Sequence, residues 1–438
     1  MVVAPSRSVN TLDEILDGHV GPGVLRQIAV DPLPHGLADL LDSRFAHVRS
    51  RDLQLLRTKY KPSRKLTAYY RIAADAIAAD ASADGDGAAL AHLAVSWSAG
   101  TPPESRITAL LSPADPAMPQ LRRLTKPGHL VGLLEAFTGR KVGSADRIRI
   151  SILRYRPGQR HVLVALLGDG RCVYVKTDRD DSGARAVPVA ELLTDTLSAR
   201  CPGAHVAEPV GYAADDSAAL WWNAAGEPLS GQLARQAAES PPALERAGRV
   251  LRALHDIPVV AGPDPALDRI GERTVQLEAT STLRAGEHIT ALLPSVGRTY
   301  VALVQAVVDC LDRMPAETAT FAHGDFKCDN LLVHDGQVRV LDLDRSCWAE
   351  PAMDLGKLLA DLRWWCPLGH DADALSAAFR AGYGSCDPAR WNRAELLAVL
   401  FQLKLAARRC AVHDTHWEAQ VRHRIAAAGA ALRETASA

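Results

Sequence analysis

One short stretch, His323-Gly324-Asp325-Phe326-Lys327-Cys328-Asp329-Asn330, brings several chemically useful side chains together, and Asp342-Leu343-Asp344 begins twelve residues beyond it. A carboxylate, a lysine, an asparagine and a second carboxylate at this spacing suit phosphoryl transfer. That reaction asks a protein for positioning and positive charge, with little covalent work. Asp325 can orient an acceptor hydroxyl and take its proton. Asn330 and Asp342 offer the hard oxygens that Mg²⁺ prefers, and Lys327 can neutralise charge on the moving group. Asp344 shares the direction of Asp342 only if the strand persists between them. It reads either as a ligand for a second metal or as a cap for the following helix. Cys328 reads as a spacer, with no histidine placed to activate it.

The elements around this stretch must hold it. Leu55–Ile72 reads as strand, turn, strand, and His92–Trp97 as a further strand. Ala73–Ala89, rich in Ala, Asp and Gly, reads as a loop. The pattern returns ninety-five residues on, where Tyr155-Arg-Pro-Gly matches Tyr60-Lys-Pro-Ser. Each copy runs into a strand and a Gly-Asp-Gly turn, as an internal duplication would or as two unrelated hairpins sharing a proline turn would. Only the second copy ends in a lysine, at Val173-Tyr-Val-Lys176; the first has Ser96-Trp97 there. The chain holds nine lysines in all, so one here and one at 327 are informative.

Ala184–Arg200 suits a helix with Leu192, Leu193 and Leu197 along a face, and Pro188 in or near its first turn. Ala218–Asn223 reads as a strand. Ser240 is the expected N-cap of a helix running to Ile257. Beyond Asp344 the pattern is helical through Met353–Leu359, Asp361–Trp365, Ala374–Tyr383, Arg393–Val412 and Trp417–Thr435.

These residues resemble the aminoglycoside phosphotransferase and choline kinase family, small-molecule kinases related to protein kinases. That family writes His-Gly-Asp where protein kinases write His-Arg-Asp, and an Ile/Leu-Asp pair in place of Asp-Phe-Gly; here these are His323-Gly324-Asp325 and Leu341-Asp342. The resemblance implies an α+β, two-lobed protein-kinase-like fold: a small antiparallel β lobe, a larger helical lobe, and an extra N-terminal α/β region. The division it suggests is 1–145 for the extra region, 146–223 for the nucleotide-binding lobe and 224–438 for the catalytic and substrate-binding lobe. It implies ATP and Mg²⁺ as cofactors and a small-molecule hydroxyl as acceptor. In that frame Lys176 grips the α- and β-phosphates, and Glu191 is either its partner or an exposed helical glutamate. The Tyr155–Arg160 turn covers the phosphates, with Gly158 permitting close approach and Arg160 touching phosphate; a plain hairpin turn is the other reading. Asp354 matches a family aspartate that steadies the catalytic loop, and His323 and His255 are structural. Trp364, Trp365, His370, Asp371 and Trp417 either line the acceptor groove or pack in the core.

The bulk properties narrow the field. A net charge of −1 leaves no basic footprint for nucleic acid and no polybasic membrane patch. No stretch reaches the roughly 18 apolar residues of a membrane span. Met1–Asn10 carries no secretory pattern, and the eight scattered cysteines, with no Cys-x-x-Cys, suit reduced thiols in a cytoplasm. The expected acceptors are an aminoglycoside, nucleoside antibiotic, sugar or amino alcohol. Kinase action on Ser or Thr of a peptide precursor is the alternative, and a nucleotide-binding pseudokinase is a third reading that the intact motif opposes.

Overall fold

The computed structural model describes residues 21–41, 48–73, 92–98, 107–257, 270–366 and 372–437. The Ala73–Ala89 loop (apart from Ala73), His370 and Asp371 lie outside the described residues. Helix α1 (Pro22–Val30) precedes strands β1 (Leu53–Lys61), β2 (Lys65–Ile72), β3 (His92–Ser98) and β4 (Ile107–Leu111). These form an antiparallel sheet in chain order. Its two faces differ by the two-residue period of a strand. Leu66, Ala68, Tyr70 and Ile72 are buried and pack with Leu25 and Ile28 of α1, and the Tyr70 hydroxyl donates to Ala29 O at 2.6 Å. The other face carries Arg57, Lys59 and Tyr69.

Helices α2 (Leu121–Leu124) and α3 (Pro127–Thr138) lead to the second sheet. It is built from β5 (Arg149–Arg156), β6 (Arg160–Leu166) and β7 (Cys172–Asp178), then helix α4 (Ser182–Arg200), β8 (Ala204–Val206), β9 (Pro209–Ala213) and β10 (Ala218–Trp222), in the order β5-β6-β7-β10-β9 with β8 elsewhere. Leu163, Val173, Val175 and Leu220 turn one face toward Leu124, Leu130 and Leu134 of α2 and α3. The opposite face carries Lys176.

The two sheets share turn geometry and register. Ser63 (φ 52°) and Gly158 (φ 59°) are both left-handed at the third turn position. Arg64 N–H donates to Lys61 O, and Gln159 N–H to Arg156 O, each at 3.1 Å. Ser96 sits opposite Thr67 as Lys176 sits opposite Val162, so serine occupies the lysine's register in the first sheet.

The remaining chain is mainly helical: β11 (Glu227–Pro228), α5 (Leu229–Gln236), α6 (Pro241–His255), α7 (Val275–Ala285), α8 (Glu287–Leu292), α9 (Pro294–Asp312), β12 (Thr320–Ala322), β13 (Leu331–His334), β14 (Gln337–Val340), β15 (Cys347–Ala349), α10 (Ala352–Trp365), α11 (Ala372–Tyr383), α12 (Pro388–Arg409) and α13 (Trp417–Ser437). The fold is therefore α+β. Among the described residues no helix is long and apolar enough to cross a membrane, and all eight cysteines are free.

Three local expectations need correction. Pro188 lies inside α4, because the helix begins at Ser182, whose hydroxyl donates to Asp178. Ser240 makes no side-chain cap; its backbone is already helical and its hydroxyl points back to Gln236 O at 3.4 Å. Met353–Leu359 and Asp361–Trp365 are one continuous helix, α10.

Helices α6 and α11 cross through glycines. A Cβ on Gly382 would lie 1.8 Å from Glu245 O, and one on Gly248 2.3 Å from Phe379 O. Backbone cannot yield as a side chain can, so Gly382→Val is expected to cost at least about 2 kcal/mol. Urea denaturation would register this as a lower midpoint at unchanged slope.

Candidate active site

The catalytic stretch is a loop between β12 and β13, and its shape is fixed from below by one face of α10. Asp354 Oδ2 accepts from His323 N–H at 2.7 Å and Oδ1 from Gly324 N–H at 3.0 Å. Asp361 Oδ2 accepts from Cys328 N–H at 2.8 Å. Between them Lys357 Nζ reaches Asp325 Oδ1 at 2.8 Å. The spacing i, i+3, i+7 puts all three on one helical stripe. Lys357 and Asp361 had no role in the sequence reading, yet a polar stripe in an otherwise apolar helix was the available signal. Gly324 is obligatory, with φ 72° and a Cβ position 2.0 Å from Arg345 O.

His323 is buried and ties the loop to the end of the next hairpin. Its Nε2 donates to Leu341 O at 2.8 Å, while Nδ1 accepts from Asp325 N–H at 3.2 Å. Those partners assign the neutral tautomer protonated at Nε2. His255 packs beneath, with Nδ1 2.8 Å from the Tyr383 hydroxyl and Nε2 3.6 Å from Asp354.

Asp325 is clamped by two ammonium groups, with Lys327 Nζ 2.8 Å from its Oδ2. Burial opposes its charge, but Lys357 and Lys327 outweigh burial and hold the carboxyl well below the usual range. Asn330 Nδ2 donates to Asp325 O at 3.0 Å, which leaves its side-chain oxygen available. Burial and the neighbouring Asp361 raise the Cys328 thiol far above its ordinary value, in keeping with a packing role.

The second carboxylate comes from the turn after β14. The strand does not persist: Asp342 is left-handed at φ 62°, and Leu343–Arg345 is a 3₁₀ turn. This sparsely populated conformation aims Asp342 at the β sheet. Lys176 Nζ lies 2.7 Å from Asp342 Oδ1 and 3.8 Å from Asp344 Oδ2. Burial disfavours the Lys176 charge, but the two carboxylates prevail and raise its pKa. Asp342 is held low: burial opposes its charge, and Lys176 overcomes it. Burial and the charge of Asp342 push Asp344 up to about 6, against the pull of Lys176 and Arg160. Arg160 lies 2.9 Å from Asp344 and also pairs with Asp178. The Asp344 side chain thus enters the cluster from the 3₁₀ turn.

Two expected contributors, Glu191 and Tyr155, point elsewhere. Glu191 is exposed, because Val189, Ala190, Leu193 and Leu197 turn the other side of α4 into the core; the ion pairs of Lys176 go to Asp342 and Asp344 instead. Tyr155 is buried on the opposite face of β5 from Arg154 and Arg156, and its hydroxyl donates to Asp115 Oδ2 at 3.0 Å. Gly158 N–H donates to the same oxygen at 2.7 Å. The hairpin tip is therefore anchored by Asp115, a buried residue from the preceding segment that the sequence reading did not single out. Trp417 is core, whereas Trp364 and Trp365 are half-buried beneath Arg409 and Arg424.

A buried ion pair supports the loop from the far side. Glu278 of α7 pairs with Lys404 of α12, and also with Arg273 at 3.5 Å. Arg273 in turn donates to Gly324 O at 2.7 Å. Burial opposes the Glu278 charge, but Lys404 and Arg273 keep its pKa low. Glu278→Ala is expected to destabilise the protein by about 3 kcal/mol, because Lys404, whose pKa burial already lowers to about 7, loses the counter-charge that keeps it protonated. Thermal unfolding beside Lys404→Met/Glu278→Leu checks this. The double change should recover much of the loss.

Among the described residues no three His, Cys, Asp or Glu side chains form a metal-binding group. Asp342 and Asn330 nevertheless suit Mg²⁺, which takes few protein ligands and completes its shell with water and phosphate oxygens.

A β sheet presenting a lysine to a carboxylate at the edge of a helical lobe, above a second carboxylate on a braced loop, defines a two-lobed, protein-kinase-like phosphotransferase. The sequence model described as the phosphotransferase enzyme family matches residues 151–397, and the chain belongs to that family. No curated protein matches the chain significantly. Among solved structures, a choline/ethanolamine kinase family protein from Mesorhizobium loti is 17% identical, with 69% of this chain and 94% of that chain covered at a TM-score of 0.48. Spectinomycin phosphotransferase, solved with ADP and spectinomycin, is 10% identical, covering 71% and 98% at 0.48. Plasmodium vivax ethanolamine kinase is 11% identical, covering 66% and 85% at 0.47.

Proposed function

We propose that this protein transfers the γ-phosphoryl group of ATP, with Mg²⁺, to a hydroxyl of a small molecule. The observation that carries the reading is the meeting of Lys176 and Asp342 at 2.7 Å, across 166 residues of sequence, above the Lys-clamped Asp325. On this reading residues 146–223 hold the nucleotide, 224–438 supply catalysis and the acceptor site, and 1–145 are an added region.

Each side chain then has a task. Asp325 orients the acceptor hydroxyl and takes its proton as the new P–O bond forms. A carboxyl held so acidic is a weak base toward a free alcohol. Its main contribution is alignment, with proton uptake late, as a loose transition state allows. Lys327 and Lys357 keep Asp325 ionised and fixed, and Lys327 is placed to neutralise the phosphoryl oxygens. Lys176 would exchange its carboxylate partners for nucleotide phosphate. Asp342 and the free oxygen of Asn330 would hold Mg²⁺, which when bound supplies charge neutralisation on the phosphates. Asp344 keeps Arg160 and Lys176 in place. Glu191 and Tyr155 are left without a direct task at the nucleotide, while Gly158 shapes the turn beside Arg160.

The test is an ADP-release assay with Mg·ATP against sugars, amino alcohols, nucleosides, aminoglycosides and Ser/Thr peptides, with Asp325→Ala alongside. Acceptor-dependent release from one small-molecule class, lost in the variant, supports the reading. Release with peptides alone overturns the acceptor class. Nucleotide binding without release for any acceptor overturns the activity.

A further inference from the structure

The first sheet packs against both the helical lobe and β5 of the second sheet, and it brings positive charge there. Its β1 strand reaches the helical lobe, where Thr58 Oγ1 lies 2.9 Å from His413 Nδ1. The hairpin tip does the same through Arg64 and Glu287, at 2.8 Å. Thr58 lies on the Ala68 face, and from the other face Tyr69 packs against the cluster that holds Tyr155 of β5. Arg57 and Lys59 share the Tyr69 face, with Arg57 lying 5.7 Å over the Tyr69 ring.

Strand register places more cations on the face of Lys176. Arg154 pairs with Val162, which pairs with Lys176, and Arg156 pairs with Arg160. Arg154 and Arg156 therefore share the sheet face that carries Lys176. The helical wall adds Arg345 and Arg408, and the Arg408 charge is felt against those of Arg345 and Asp325.

None of these six forms an ion pair among the described residues. The local carboxylates are already engaged: Asp178 and Asp344 by Arg160, Asp342 by Lys176, and Asp325 by Lys327 and Lys357. Arg156 Nε is buried without a hydrogen-bond partner among the described residues. Burial, then repulsion from Arg154, Arg57 and Arg160, lowers the Arg156 pKa to about 10. Burial and the neighbouring Lys61 and Arg57 lower that of Lys59. A chain of net charge −1 has not placed these cations as part of a general excess. Concentrated like charge in a cleft opposes folding and is offset by a bound anion. Guanidinium groups, with their planar fork of donors, suit phosphate and carboxylate oxygens.

We infer that the acceptor is itself anionic, a hydroxyl compound bearing a phosphate or carboxylate group that Arg57 and Lys59 of the N-terminal sheet, with Arg154 and Arg156, hold beside Asp325. The assignment of this anion to an acceptor rests on the phosphotransferase reading. The oxyanion site does not, and it is distinct from the nucleotide's phosphates. A polycationic acceptor would be repelled by this wall.

Inorganic pyrophosphate serves as the probe, titrated into protein already saturated with Mg·AMP-PNP and followed by calorimetry. The expected result is pyrophosphate binding to the loaded protein that weakens at least fivefold in R57Q/K59Q. AMP-PNP affinity should stay within about twofold. Arg154→Gln is the second variant, should the first lose stability. If saturating nucleotide abolishes pyrophosphate binding, the cations serve the nucleotide and the inference fails. It fails equally if both folded variants bind pyrophosphate as the wild type does. Neither readout needs turnover, so a failure here is separable from a failure of the phosphotransferase reading. In the turnover assay, phosphorylated or carboxylated acceptors should outperform their neutral counterparts at least tenfold in kcat/KM. A preference for the neutral members would overturn the inference.

Discussion

Asp325→Ala is expected to lower kcat by at least about 10³-fold, within the range for loss of a general base together with its positioning, while Mg·AMP-PNP affinity changes by less than about threefold. The separation follows from geometry. The groups proposed to hold nucleotide and metal are Lys176, Asp342 and Asn330; Asp325 touches Asn330 and acts on Asp342 only through its charge, which Lys176 outweighs. The variant also leaves Lys327 and Lys357 without the carboxylate that neutralises both at 2.8 Å. Some stability loss will accompany the loss of turnover, so single-turnover rates should be compared at a temperature where circular dichroism shows both proteins folded. Asp325→Asn separates the roles further. It keeps the shape, removes the charge and should remain severely impaired. Near-wild-type turnover in Asp325→Ala would remove this residue from the chemistry.

The second large effect is expected at Asp342, and Gly is the informative replacement. At φ 62° the native backbone sits where glycine is at ease and an aspartate is strained. Asp342→Gly therefore removes the carboxylate without disturbing the turn. Mg·nucleotide affinity should fall by about 10²-fold, and turnover by at least about 10³-fold. Lys176 would still find Asp344 at 3.8 Å, so the unliganded fold should survive. Thermal shift offers a direct readout. A ligand at 100 times its Kd stabilises by about 2.7 kcal/mol, and this gain should largely vanish in the variant while wild type retains it. An undiminished Mg·ATP-dependent shift would show that the metal is held elsewhere.

The two carboxylates thus differ in kind. Asp325 is proposed to act on the acceptor, Asp342 on the nucleotide, and the structure gives them different cationic partners. Separate lysines prevent the two charges from destabilising each other in a confined space, where mutual repulsion would drive one of them to protonate.

Much of this was legible in the chain itself. His323–Asn330 and Asp342–Asp344 carry the family resemblance, which the match to the phosphotransferase enzyme family bears out, because such motifs rest on residue types at fixed short spacings. The hairpins at 53–72 and 149–166, and the helices after Asp344, follow from period-two and period-3.6 patterning, which is local physics. Lys176 was visible as the lysine ending an alternating strand. Tertiary packing decided the rest. The direction of Glu191 depends on which side of α4 the core claims, and sequence spacing does not set that rotation. Asp115 reaches Gly158 and Tyr155 across forty-odd residues, and Lys357 finds Asp325 only because α10 lies beneath the catalytic loop. The cationic wall is the clearest case. Arg57 and Lys59 are ordinary strand residues until the first sheet docks, when their charges repel those of Arg154 and Arg156 and none of the four finds an ion-pair partner among the described residues. Residue type and local period are properties of the chain, whereas charge complementarity between distant segments exists only once the fold has brought them together.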